Sequence, residues 1–214
     1  MLPIQKKLTL INRTIANSRK IKYIVIHYVG AVSSAKANVD YFYSVNRNAS
    51  AHYFVDETEI WQGVDDSNIA WHCGSNKYYN DCRNQNSIGI EMCCKKDANG
   101  KWYFEEQTVK NTIELVRYLM KLHGVTIDCI IRHYDVTHKV CPEPYVRDEE
   151  AWQEFKKKVG ADMEKVTDIK EALDILVEKG RMTDRPYWEK AILTTRNVDF
   201  LIIKYANDLK TLAE

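Results

Sequence analysis

Residues 21 to 27, Ile-Lys-Tyr-Ile-Val-Ile-His, form a β-branched and aromatic run that ends on a histidine. Such a run reads as a buried strand that delivers a polar side chain at its end. Two further segments have the same character. Ser87-Ile-Gly-Ile-Glu-Met92 follows a polar loop from Ser75 to Asn86, and Ile127 to Ile131 leads into Arg132-His133. Strands at His52 to Asp56 and Glu59 to Gln62, separated by polar residues, read as a hairpin. Helices are expected between these strands. Residues 35 to 46 place Val39 and Phe42 on one face. From Glu105 to His123, Val109, Ile113, Val116 and Met120 recur at helical spacing, and Gly124 is the stop. Asp148-Glu-Glu150 opens and Lys156-Lys-Lys158 closes a further helix with inner face Trp152, Phe155 and Val159, its charges placed as the helix dipole favours. Strands interleaved with helices predict an α/β domain with a central mixed β-sheet flanked by helices.

Beyond Gly160 the pattern changes to helices only, at about 168 to 179, 185 to 193 and 197 to 210, punctuated by Gly180 and Pro186. The chain therefore divides into a domain over 1–160 and a small all-helical C-terminal module over 161–214, which suits its 214 residues. A hydrophobic fraction of 45% with 29% charged residues predicts a globular core. The net charge of +1 argues against a general nucleic-acid binder, whose phosphate contacts need a basic excess. No run of about 18 apolar residues occurs, so membrane insertion is not expected. Met1-Leu-Pro-Ile-Gln-Lys-Lys precedes no signal-like apolar stretch, so synthesis in the cytoplasm without a signal peptide is expected. The six cysteines are too irregularly spaced for a disulfide scaffold. Cys93-Cys94, Cys73 and Cys82 read as ordinary thiols, and adjacent cysteines have the wrong spacing for paired metal ligands.

The chemistry concentrates on His27, His133 and Cys141. Two imidazoles and a thiolate are donors that zinc accepts, and three protein ligands leave a fourth position for water. Taken singly, the same residues read equally well as core histidines and a buried thiol. Their surroundings decide the matter: Ile24-Val-Ile-His27, Ser50-Ala-His-Tyr-Phe-Val-Asp56, Ala70-Trp-His72, Ser87-Ile-Gly-Ile-Glu91 and His133-Tyr-Asp-Val-Thr-His-Lys-Val-Cys-Pro142 occur in order. Over about residues 20 to 160 the chain resembles the zinc-dependent N-acetylmuramoyl-L-alanine amidases of the phage endolysin, autolysin and peptidoglycan-recognition-protein type.

That resemblance implies Zn2+ held by His27, His133 and Cys141, and cleavage of the amide between N-acetylmuramic acid and the L-alanine of the stem peptide. It implies a general base in Glu91, whose carboxylate would be costly to bury without a partner or a function. It implies an oxyanion-stabilising ammonium in Lys139, two residues before Cys141 in the same loop. It also places His72, Tyr53 and Thr137 near substrate, although Tyr53 can equally pack on the sheet and Thr137 can equally shape its turn. No role is assigned to His138. The implied partner is bacterial peptidoglycan, reached by a phage or prophage lysin through a separate membrane pore. The alternatives are a bacterial autolysin and a recognition protein that binds walls without cutting them. In the tail from Val166 to Leu212, Tyr187, Trp188 and Tyr205 suggest cell-wall targeting or homo-oligomerisation, set against simple packing.

Overall fold

The run that ends on His27 is a strand, and it is paired on both sides. A computed structural model describes residues 1–74, 78–161, 169–194 and 198–211. The first residues of the expected polar loop, 75–77, and the tail bounds Val166 and Leu212 lie outside that set. The chain divides into two units, Met1–Gly160 and Ala161–Glu214.

In the first unit the strands are β1 (Ile4–Lys6), β2 (Tyr23–Tyr28), β3 (Tyr53–Val55), β4 (Ile60–Gln62), β5 (Ser87–Met92), β6 (Lys95–Lys96), β7 (Trp102–Tyr103) and β8 (Ile130–Arg132). Six of them form one sheet in the order β1-β4-β3-β5-β2-β8, and β6 pairs with β7 in a separate hairpin. The sheet is mixed. β3 and β4 run antiparallel, as a hairpin must, whereas β2 is parallel to both β5 and β8. The helices are α1 (Ala35–Tyr43), α2 (Glu106–His123), α3 (His133–Thr137), α4 (Glu143–Arg147) and α5 (Glu149–Ala161).

Strand alternation separates the two faces of this sheet. Ile24 and Ile26 of β2, Ile88, Ile90 and Met92 of β5, and Tyr53 and Val55 of β3 share one buried cluster. Leu115, Val116 and Leu119 of α2 and Trp152, Phe155 and Val159 of α5 close that cluster from outside. The other face carries Val25, Ile131 and Val136 in one smaller cluster and Val39, Ala51 and Phe54 in another. His27, Gly89 and Glu91 belong to this second face by the same alternation.

Local chemistry fixes the element ends. Ser34 Oγ accepts from Ala37 N and starts α1. That helix stops at Tyr43 rather than at residue 46, because its terminal carbonyls are taken from outside: Asn12 Nδ2 donates to Phe42 O and Val45 O, and Thr9 Oγ1 donates to Tyr43 O. Gly124, at φ 67°, ends α2 as the sequence predicts. The strand expected at Ile127 begins later. Residues Ile127–Cys129 form a 3-10 turn in which Cys129 N donates to Thr126 O, and pairing with β2 starts only at Ile130, opposite Ile24.

The second unit contains α6 (Ile169–Glu178), α7 (Arg185–Thr194) and α8 (Val198–Thr211). Ala172, Leu173, Leu176, Met182, Ile202 and Ala206 form its core, with Trp188 packed against them. Tyr187 and Tyr205 are exposed. No helix among the described residues is long and apolar enough to cross a membrane.

Candidate functional site

β2 and β5 place His27 directly opposite Glu91 in parallel register. The two side chains therefore share the second face at the same level. His27 Nδ1 lies 4.0 Å from Glu91 Oε1 and 3.7 Å from Cys141 Sγ. His133 arrives from the end of β8 as the first residue of α3. Asp135 secures that start, its Oδ2 accepting from Arg132 N at 2.8 Å while its carboxylate also pairs with the Arg132 guanidinium. Arg132 is further paired with Glu149 and lies over the Trp152 ring, which anchors α3 to α5.

The chain then turns back on itself. His138 caps α3 at φ 60°, in the left-handed region, and Tyr134 N donates to Cys141 O at 2.8 Å. This loop closure brings the thiol to the histidines. The ligand atoms of His27, His133 and Cys141 all lie within 4.8 Å of one another, and all three residues are buried. His138 itself stacks flat on Tyr78, with centroids 3.7 Å apart, and less closely on Tyr134. The residue without an assigned role is thus part of a ring stack on the loop that carries Lys139 and Cys141.

Burial sets the protonation of the cluster. It drives the His27 pKa well below 6.5, with His133 adding to the effect, and it lowers His133 to about 4, with the Lys139 ammonium acting in the same direction. Both imidazoles are therefore neutral, the form that binds a metal. Burial raises the Glu91 carboxyl to about 8 against the pull of Lys139, and raises the Cys141 thiol to about 12 with help from Glu91. The Glu91 side chain keeps 21% exposure, yet its Oε2 is fully covered.

Two polar atoms at this cluster, His133 Nδ1 and Glu91 Oε2, are buried without a hydrogen-bond partner among the described residues. Leaving such atoms unsatisfied costs roughly 1 to 3 kcal/mol each. An acceptor nitrogen left unpaired beside a second imidazole and a thiol is what a bound cation would complete, so the donor set fits a divalent metal such as zinc.

The other expected site residues separate into two groups. His72 belongs to the cluster: its Nδ1 is 3.0 Å from His27 Nε2, and its Nε2 is 3.1 Å from Ser87 Oγ. Lys139 is exposed on the ligand loop, close enough to lower the pKa of His27, His133 and Glu91. Thr137 shapes the turn, its Oγ1 donating to His133 O and accepting from Lys139 N, each at 3.4 Å. Tyr53 lies elsewhere. It stands opposite Ile90 in register, on the helix-covered face, and its hydroxyl donates to Asp66 Oδ1 at 2.8 Å. Alternation places Tyr53 in packing on the sheet, the second of its two expected readings, and turns its neighbours His52 and Phe54 toward the site face.

Sequence reasoning passed over three neighbours of the cluster. His52 is fully buried and accepts from Gly89 N through Nδ1 at 3.0 Å. Ser87 bonds His72. Gly89 leaves room for it, since a Cβ there would lie 2.5 Å from His72 Cγ. The signal was available in the period-two pattern of β5, where residues 87, 89 and 91 share a face with the expected base.

A mixed sheet whose strand ends gather two imidazoles, a thiol and a carboxyl presents a donor set that could hold a metal ion. The family description "N-acetylmuramoyl-L-alanine amidase" matches residues 17–144. The chain belongs to this family. It is 38% identical over 150 residues to the N-acetylmuramoyl-L-alanine amidase CwlL of Bacillus licheniformis, a match covering 65% of this chain and 41% of the relative. It is 31% identical over 150 residues to CwlA of Bacillus subtilis (strain 168), covering 70% of this chain and 53% of that protein. The chain thus spans about half the length or less of these curated relatives. Among solved structures, PlyL superposes with TM-score 0.64 at 26% identity over 74% of this chain and 97% of PlyL. A mutant endolysin from Bacillus subtilis gives TM-score 0.62 at 27% identity, over 75% of this chain and all (100%) of that one.

Proposed function

We propose that this chain hydrolyses the amide between N-acetylmuramic acid and the L-alanine of the peptidoglycan stem peptide, with zinc held by His27, His133 and Cys141. The observation that carries this reading is the buried cluster itself, with ligand atoms within 4.8 Å of one another and an unpartnered carboxyl oxygen beside them. When bound, zinc lowers the pKa of water and polarises an amide carbonyl.

The protein groups supply the remaining chemistry. Glu91 is the proton carrier. Its Oε2 has no partner among the described residues to compete for a proton, and burial raises its pKa well above the usual carboxylate range. In its deprotonated form it takes a proton from the attacking water and then returns it to the departing amine of L-alanine. Lys139 projects from the loop beside the cluster and stabilises the negative oxygen that develops on the former carbonyl. His27 and His133, held neutral, keep their lone pairs available. The endolysin among the structural relatives supports a lysin role at the cell wall. The helical unit serves wall targeting or self-association through its exposed Tyr187 and Tyr205.

Purified cell walls provide the test. The protein should clear a turbid wall suspension and release stem peptides with a free L-alanine amino group, as read by mass analysis. Chelator should abolish that release, and Glu91→Gln should retain zinc while losing turnover. Undiminished clearing by chelated protein would overturn the metal assignment. Sedimentation with walls but no clearing would leave a recognition protein instead, and fragments that still carry muramic acid would point to another bond.

A further inference from the structure

The hydrogen bonds beneath His27 run in one direction, and their far end is fixed. Ser87 Oγ lies 2.7 Å from Arg83 O, and a carbonyl only accepts, so the Ser87 hydroxyl hydrogen is committed there. Ser87 Oγ must then accept from His72 Nε2, 3.1 Å away, which puts the His72 proton on Nε2 and leaves Nδ1 as an acceptor. His72 Nδ1 lies 3.0 Å from His27 Nε2, so His27 carries its own proton on Nε2. The His27 Nδ1 lone pair is thereby left bare toward Cys141 and Glu91.

The packing is built around this arrangement. The His27 and His72 rings meet edge to face, with centroids 5.1 Å apart at 85°. Beneath His72, any side chain on Gly89 would collide with the ring, the nearest approaches being 2.5 Å to Cγ and 2.7 Å to Nδ1. Gly89 is held in place in turn by its N–H bond to His52. Asn84 Oδ1 accepts from the backbone N–H groups of His72, Cys73 and Gly74, which fixes the segment carrying the ring.

We propose that His72 is a positioning residue for His27: through the directed chain Ser87 to His72 to His27, seated over Gly89, it fixes the tautomer and ring plane that present Nδ1 as the metal ligand. This differs from the substrate contact expected of His72 from resemblance. The tautomer is a property of the polypeptide without metal, and only its effect on metal affinity rests on the zinc reading of the site.

The two parts are tested separately. Long-range proton–nitrogen correlation on the chelated, nitrogen-15-labelled full chain reads each imidazole tautomer. In the unsubstituted protein His27 and His72 should both carry Nε2–H. Ser87→Ala, which removes one oxygen and adds no bulk, should release His72 to place its proton on Nδ1 and push His27 toward the Nδ1–H form. Chelator competition with zinc alone should then show an affinity loss of about 10- to 100-fold in Ser87→Ala and in His72→Ala, the range for partners that orient a liganding histidine. His72→Asn keeps an acceptor oxygen at the Nδ1 position and should recover part of that loss, which bulk packing would not explain. Should His72→Ala fail to fold, Ser87→Ala and His72→Asn decide the question. An Nδ1–H signal for His27 in the unsubstituted protein, or zinc affinity within twofold of it in Ser87→Ala, would overturn the proposal. Failure of the unsubstituted protein to bind zinc would instead overturn the metal reading, while the tautomer spectra still decide the relay.

Discussion

Acidifying the metal-free protein should destabilise it with a slope set by the buried groups of the site face. His27, His52 and His133 are driven below the ordinary histidine value of 6.5 chiefly by burial, His133 to about 4. In the unfolded chain each takes up a proton as the pH falls through 6.5, whereas the folded state refuses it until its own lower pKa is reached. Stability is therefore intact above 6.5 and is lost as the pH falls toward the folded values. Glu91 acts in the opposite sense. Its folded pKa of about 8 lies above its ordinary 4.5, so between those values the folded state holds a proton that the unfolded state lacks. Counting these four groups, the imidazoles favour unfolding by up to one proton each below pH 6.5 and Glu91 offsets one of them, a net of at most two. At about 1.4 kcal/mol per proton per pH unit, these groups contribute a slope of at most about 2.7 kcal/mol per unit. Against a typical domain stability of about 5 to 15 kcal/mol, that is a steep loss. Urea unfolding of chelated protein at several pH values between about 7 and 4.5 measures it directly. A stability that stays flat across this range would refute the assignment of these imidazoles as buried and neutral.

The remaining predictions concern single residues. Phe155, 1% exposed and stacked on Trp152 in the α2 and α5 cluster, should cost about 3 to 5 kcal/mol on truncation to alanine, read as a fall in the urea midpoint with zinc affinity of the surviving folded protein unchanged. Lys139→Ala should lower kcat on cell walls by roughly 100- to 1000-fold while zinc content stays stoichiometric, as expected for loss of one oxyanion partner. Tyr53→Phe should leave wall hydrolysis within about twofold and lower stability by about 1 to 3 kcal/mol, since it removes the hydroxyl that donates to Asp66 and accepts from Gln62 on the far face of the sheet.

Much of this fold was legible because its signals are local. The apolar runs around Ile24, Ile90 and Ile130, the helical spacing from Val109 to Met120 and the stop at Gly124 each depend on a few neighbouring residues. The α/β class and mixed sheet follow from them. What escaped depends on distant partners. Strand β1 is an edge formed by pairing with β4, the β6 and β7 hairpin is two residues per strand, and α1 is shortened by side chains from residues 9 and 12. None of these has a periodicity to detect.

The site shows the same division. His27, Glu91 and His133 stood out because each ends or follows an apolar run, whereas Cys141 stood out through its place in the motif from His133 to Pro142 that carries the resemblance. Which face Tyr53 uses was a matter of register, fixed only once Phe54 is seen opposite Glu91. The bonds made by His72 were beyond reach for another reason. Residues 72, 87 and 89 meet through the sheet, and a glycine that matters by the space it leaves has no chemical signature of its own.

The pairing of His27 with Glu91 across two parallel strands has a consequence for how this centre tolerates change. Neighbouring strands are held about 4.8 Å apart by main-chain bonds whatever their side chains, so the reach from His27 to Glu91 is a property of the ladder. Residues in the helices behind the sheet can be exchanged, and the protein made more or less robust, without retuning that reach. A sliding error of one position would be fatal to it, since one of the two groups would then face the oily side. Engineers seeking a hardier variant thus have the whole helical back of the domain to work with, provided they leave the alignment of these two strands alone.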